Sequence, residues 1–153
     1  MSETAKRLAE LGLEIPKPVA PVANYVPYVL SGRELFISGQ VSIGPGGLIK
    51  GKLGADMTVD EGVAAARACA VNLIAQMNAA LDGDLDRVKR IVKLTAFVNC
   101  APDFVDQPKV VNGASDLMVA VFGDKGRHAR AAVGAPSLPL GAAVEVDAIV
   151  EVA

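Results

Sequence analysis

HARAAVGAPSLPLGAAVEVDAIVEV, residues 128–152, holds two strand-like runs joined by a loop that carries Pro136, Pro139 and Gly141. In the second run, 142–152, Val144, Val146, Ala148 and Val150 alternate with Glu145, Asp147 and Glu151. A period of two puts the valines on one buried face and the carboxylates on the other. The first run covers 128–133. Working upstream, residues 88–98 carry Thr95 and Phe97 in the same alternation and predict a further strand, and the segment from Gln107 or Pro108 to Phe122 predicts a helix. Before these, Thr58-Val-Asp-Glu61 has the form of a capping box, and Val63, Ala66, Ala70, Leu73 and Met77 continue it as a helix to about Leu81, ahead of Asp82-Gly83. Residues 24–30 and 34–43 are rich in strand formers around the turn Ser31-Gly32-Arg33, with Pro27 marking the first as an edge strand. Gly44 to Gly47 and Gly51 to Gly54 predict turns or loops. The order β-β-α-β-α-β-β predicts an α+β domain, a mixed sheet with two helices on one face. Ser2 can cap a short helix bearing Ala5, Leu8 and Leu11, so residues 1–15 are expected to form an arm on a domain of residues 16–153.

The chain has 153 residues, 52% hydrophobic and 21% charged, with mean hydropathy +0.38. That length supports one domain. A domain of this size leaves about a third of its unfolded surface exposed, so the apolar surplus predicts burial between subunits of an obligate oligomer. The longest uncharged stretches, Pro18–Gly32 and Leu35–Ile49, are 15 residues each and broken by Pro and Gly, too short for a spanning helix of about 20. Net charge is −2, aromatics are 4% and Trp is absent, which argues against a nucleic-acid surface. Cys69 and Cys100 sit in apolar surroundings, without the spacing of a metal site or a disulfide framework. The N-terminal segment lacks the pattern of a secretory or transit signal, so a cytoplasmic protein is expected. Dinucleotide, phosphate-loop and zinc-protease motifs are all missing, as is a nucleophile elbow. The single imidazole, His128, reads as a strand residue at a pocket rim or in a polar contact rather than as a catalytic base.

Arg130 and Glu145 lie fifteen residues apart on the two closing strands. Were those strands neighbours, a guanidinium fork suited to a carboxylate and a carboxylate suited to orient water could face one pocket. A cross-strand ion pair on a solvated face accounts for the same two residues. The segment Arg130 to Ala148, with Leu138-Pro139 and Val144-Glu145-Val146, together with Phe36-Ile-Ser-Gly-Gln40 and Thr95-Ala-Phe-Val98, resembles the Rid family, also called YjgF or endoribonuclease L-PSP. The resemblance covers residues 20–152. It implies a chorismate-mutase-like fold, a homotrimer with ligand clefts between subunits, and cofactor-free hydrolysis of 2-imino acids or their enamine tautomers to 2-oxo acids and ammonia.

By the same resemblance Arg130 anchors the substrate carboxylate and Glu145 positions water, while Tyr28, Ser38, Gly39, Asn112 and the main chain at Ala132 contact the ligand. This sequence departs from the family's pattern at Ala132, where deaminases often carry Cys, and at His128, where Pro commonly precedes Ala-Arg. The connection Phe104–Asn112 is longer, and the N-terminal arm is additional. Together these mark a divergent branch. A trimer that binds small carboxylates without turnover is the alternative function, and RNA cleavage, suggested by the older family name, is a third.

Overall fold

The computed structural model describes residues 2–153. Helix α1, Glu3–Glu10, is capped by the Ser2 hydroxyl, which accepts from the Ala5 amide at 3.1 Å. Strands β1 (Tyr28–Ser31) and β2 (Glu34–Val41) form the first hairpin. The strand expected over 24–30 starts only at Tyr28, because Pro27 precedes it and lacks the amide needed for the ladder. The glycine-rich stretch expected to be a turn or loop makes the turn of a small hairpin, β3 (Ile43–Gly44) against β4 (Gly47–Leu48), whose two short strands were not expected. Helix α2 spans Val59–Ala80 with the capping box intact: Thr58 Oγ1 accepts from the Glu61 amide at 3.2 Å, and Glu61 Oε1 accepts from the Thr58 amide at 3.3 Å. There follow β5 (Val88–Asn99), α3 (Gln107–Phe122), β6 (Ala129–Ala135) and β7 (Val144–Val152).

The main sheet has the order β1-β2-β7-β5-β6, with only β5 and β6 parallel. A parallel pair needs a crossover of a dozen or more residues, and the stretch containing α3 supplies it. Strand β7 then returns into the gap between β2 and β5. The two closing strands are therefore not neighbours, since β5 lies between them and the 136–143 loop passes across its end. Helix α2 covers β2 and β7, and α3 covers β5 and β6, so both helices lie on one face. Leu73, Ile74, Met77, Ile91, Leu94, Met118, Val144, Val146 and Val150 fill the layer between them. Leu8 of α1 joins the same core, with α1 packed against α3 and the 3-10 turn Leu85–Arg87. The opposite sheet face carries Glu145, Asp147 and Glu151 from β7 and has Phe36 and Val133 substantially exposed. No helix among the described residues is long and apolar enough to cross a membrane.

Candidate active site

Strand β2 loses register against β7 between Ile37 and Gln40, so Ser38 and Gly39 form a bulge on that ladder. Bulges re-aim the chain beside them, and here the bulge turns backbone toward Glu145. A Cβ built on Gly39 would stand 3.0 Å from Glu145 Cδ and 3.1 Å from its Oε2. Any larger residue at 39 would press on the Glu145 carboxylate and make it shift, so glycine lets the carboxylate lie directly against this backbone. Ser38 holds the adjoining segment: its hydroxyl donates to the Val26 carbonyl at 2.7 Å and its amide to the Pro27 carbonyl at 2.9 Å. Over Glu145 and Gly39 lies a cavity of about 310 Å³, lined by residues of the 19–27 segment as a roof and bordered at its open lip by Pro139 and Leu140. Deep below the roof, the buried Gln76 amide donates to the Val19 carbonyl at 2.9 Å. One turn earlier, Asn72 donates to the carbonyls of Val41 and Ile43 at 3.3 and 2.9 Å.

Glu145 is half-buried. Burial pushes its pKa up, and the neighbouring charge of Asp147 pushes it further in the same direction. Asp147 is raised as well by burial, with Lys93 opposing. An ionised Glu145 in this setting is a stronger base than a solvated carboxylate, which suits it to accept a proton from water.

Arg130 occupies a second site on edge strand β6. It is in register with Leu94, which is buried toward the helices, and so projects to the helix face. Its Nη1 donates to Asn112 Oδ1 at 2.9 Å and to Ser115 Oγ at 3.1 Å, and its Nη2 donates to the Pro108 carbonyl at 3.1 Å. Residues 108, 112 and 115 share one stripe of α3 at helical spacing. Three of the five guanidinium donors are thereby used, which leaves Nε–H and one Nη2–H for a ligand carboxylate. His128 steadies this arrangement from behind. Its Nδ1 donates to the Gly126 carbonyl at 2.6 Å, so Nε2 accepts the Ser115 hydroxyl proton at 2.9 Å, and Ser115 is left turned to accept from Arg130. His128 is thus engaged in a polar contact at both ring nitrogens.

The structure brings Ser38 and Gly39 together with Glu145, and Asn112 together with Arg130. It does not bring Arg130 to Glu145 within one chain. Glu145 is in register with Phe97 of β5, which in turn faces Val133 of β6, three residues along the strand from Arg130. Two strand spacings and three residue rises put the two Cα atoms about 14 Å apart, with the side chains on opposite sheet faces. Ala132 packs against the core from β6, and Tyr28 packs against the core from β1. The tyrosine that lines the Glu145 cavity is Tyr25. Sequence reading missed Tyr25, Ser115, Gln76 and the roof at 19–27. The signals available were the amides at 72 and 76 among the apolar residues of the buried face of α2, and the polar stripe at 112 and 115. Among the described residues no group of three or more His, Cys, Asp or Glu side chains is placed to hold a metal ion.

The model of the YjgF/chorismate-mutase-like endoribonuclease family matches residues 5–152. Protein TCP17 of Trypanosoma cruzi is 58% identical over 149 residues, covering 96% of this chain and 92% of that protein. A solved Agrobacterium tumefaciens protein of unknown function is 48% identical with a TM-score of 0.92, over 99% of this chain and 93% of that one. A Shewanella oneidensis MR-1 structure that carries an endoribonuclease name is 40% identical with a TM-score of 0.93, over 97% and 99% of the two chains.

Proposed function

This chain belongs to the YjgF/chorismate-mutase-like family, and from that premise we propose that it hydrolyses 2-imino acids, or their enamine tautomers, to 2-oxo acids and ammonia. Family membership supports a role in processing small molecules. The observation that carries the finer reading is the half-buried Glu145 carboxylate resting on the Gly39 backbone at the floor of a ligand-sized cavity. In the proposed reaction Glu145 takes a proton from water as the oxygen adds to C2 of the protonated imine. That proton then passes to the nitrogen, and as the C–N bond breaks Glu145 takes the remaining hydroxyl proton, which releases ammonia and leaves the C2 carbonyl; the proton on Glu145 is then carried off by the ammonia as ammonium. A protonated imine is already electrophilic, so positioning and one proton shuttle suffice. Arg130 holds the substrate carboxylate. Because Arg130 and Glu145 lie on opposite faces of one subunit, the complete site needs a second copy, and we assign it to clefts of a homotrimer.

The test is ammonia and 2-oxo acid release from 2-iminobutanoate generated in situ by an amino-acid oxidase. Wild type is expected to accelerate release, and Arg130→Ala to lose about a hundredfold in kcat/KM, the equivalent of one charge-assisted anchor. Equal acceleration by the two proteins would remove Arg130 from the mechanism.

Glu145 must be ionised to accept the proton, and its pKa stands above the ordinary glutamate value. The rate is therefore expected to fall, as pH is lowered, along a limb centred above that ordinary value. Asp147→Asn removes the negative neighbour, lowers the Glu145 pKa and should extend activity toward lower pH. A pH profile of kcat/KM reads this directly, and an acid limb identical in both proteins contradicts the assignment of Glu145 as the base.

A further inference from the structure

The cavity above Glu145 has a composition that the reaction alone does not need. Its lining includes Val19, Pro21, Val22, Tyr25, Ile43 and Leu140, and Glu145 supplies the only charge. Gln40, the one amide in the wall, lies with its Oε1 3.5 Å from the buried Gln76 amide nitrogen. The roof is fastened at both ends, by Gln76 at the Val19 carbonyl and by Ser38 at the Val26 and Pro27 carbonyls. Pro21 and Pro27 stiffen the span between these ties. At the lip, Leu140 keeps a left-handed backbone, φ 63° and ψ 7°, which side-chain-bearing residues rarely adopt. A disfavoured conformation that places an isobutyl group at a cavity mouth points to a function for that group. The volume also fits, since an apolar cavity of roughly 150 Å³ accepts a benzene ring and this one is about 310 Å³.

We infer that the wall formed by residues 19–27 and Leu140 is a side-chain specificity site, selecting 2-imino acids with a branched aliphatic or aromatic side chain over those with a methyl or hydroxymethyl group. This rests on the deaminase reading, in which the reacting carbon lies beside Glu145. Each substrate carbon buried against such a wall gives about a fourfold preference, so the three extra carbons of a leucine-derived imine should yield at least tenfold over the alanine-derived one.

The experiment compares kcat/KM for 4-methyl-2-iminopentanoate and 2-iminopropanoate, in wild type, Leu140→Gly and Leu140→Asn. Glycine and asparagine both tolerate the left-handed backbone, so both variants keep the loop. Wild type should favour the larger substrate tenfold or more. Leu140→Gly should reduce that ratio several-fold, and Leu140→Asn further. A wild-type preference for 2-iminopropanoate, or a ratio unmoved by both variants, overturns the inference and leaves the deaminase reading standing. Calorimetric titration of 4-methyl-2-oxopentanoate against pyruvate, in the same three proteins, runs alongside. If neither imine is turned over, the deaminase reading fails, and the ratio of the two dissociation constants decides the specificity site alone. A ratio of tenfold or more that falls in the variants upholds the site, and equal affinities overturn it.

Discussion

Combining Arg130→Ala and Glu145→Gln subunits in equal amounts is expected to restore about a quarter of wild-type turnover, although each variant alone is impaired a hundredfold or more. The reason lies in the strand order. Within one chain β5 separates the two residues, and they face opposite sides of the sheet. No rotamer change brings a guanidinium and a carboxylate together across a sheet whose helix face is packed. A cyclic trimer, however, can set the β6 edge of one subunit against the exposed β7 face of the next, and each site then takes Arg130 from one copy and Glu145 from another. With random assembly, about one interface in four pairs an intact Arg130 with an intact Glu145. Co-expression under two tags, with double-affinity purification, isolates the mixed trimers, each of which holds one intact interface in three, so the purified species should rise to about a third of wild-type turnover. Each parent should be down by about 10² to 10⁴, the range for removing a positioned base or a charged anchor. Mixed trimers with no more activity than their parents would mean that both residues serve the same site from one chain, or that one of them serves none.

The sequence patterns that survived are those written locally. The capping box at Thr58 and Glu61 and the alternation from Val144 to Val152 each depend on neighbours a few residues away, and both appear in the structure as read. Strand order is not local. The runs at 128–133 and 142–152 look like partners because a loop joins them, yet nothing in either run records that β5 inserts between them. The same limit applies to the site. Phe36-Ile-Ser-Gly-Gln40 is legible as part of the family resemblance, but the close approach of Gly39 to a carboxylate becomes visible only once Glu145 lies 3.0 Å from where a Cβ would be. Tyr28 sits in the strand and Tyr25 in the roof, a difference decided by where Pro27 ends the irregular segment. Gln76 could have been singled out as an amide on the apolar face of α2, but its partner, the Val19 carbonyl, is 57 residues away in sequence.

Gly113→Ala is expected to lower the melting temperature by about 5 to 15 °C and to weaken 2-oxo acid binding in the protein that remains folded. Two effects of opposite sign compete at this position. Alanine is the better helix former by roughly 1 kcal/mol, which favours the variant. Against that, a Cβ at residue 113 would lie 2.1 Å from the Val63 carbonyl oxygen and 2.9 Å from its carbon. Both atoms belong to the backbone of α2, so no side chain can turn aside, and α3 must lift by more than 1 Å. Overpacking of a close-packed interior typically costs 1–3 kcal/mol and occasionally more, and an overlap this deep with immovable backbone puts the cost at about 3–5 kcal/mol. Val110, Val111, Ala114 and Leu117 of α3 are all buried and would lose contact as the helix moves. The clash outweighs the propensity gain, for a net loss of about 2–4 kcal/mol, and each kcal/mol shifts the midpoint by about 2–4 °C in a domain of this size. The functional effect follows from the same displacement. Asn112, Ser115 and the Pro108 carbonyl, which hold Arg130, all ride on α3. Lifting the helix withdraws three acceptors from the guanidinium together, so the carboxylate anchor proposed for Arg130 loses its orientation in a protein whose Arg130 is unchanged. Gly46→Ala is the comparison, because a Cβ there meets nothing within 4 Å and its midpoint should be that of wild type within error. Equal midpoints for Gly113→Ala and Gly46→Ala would mean that α2 and α3 do not approach at Val63 as closely as the fold requires, and the placement of Arg130 would have to be sought elsewhere.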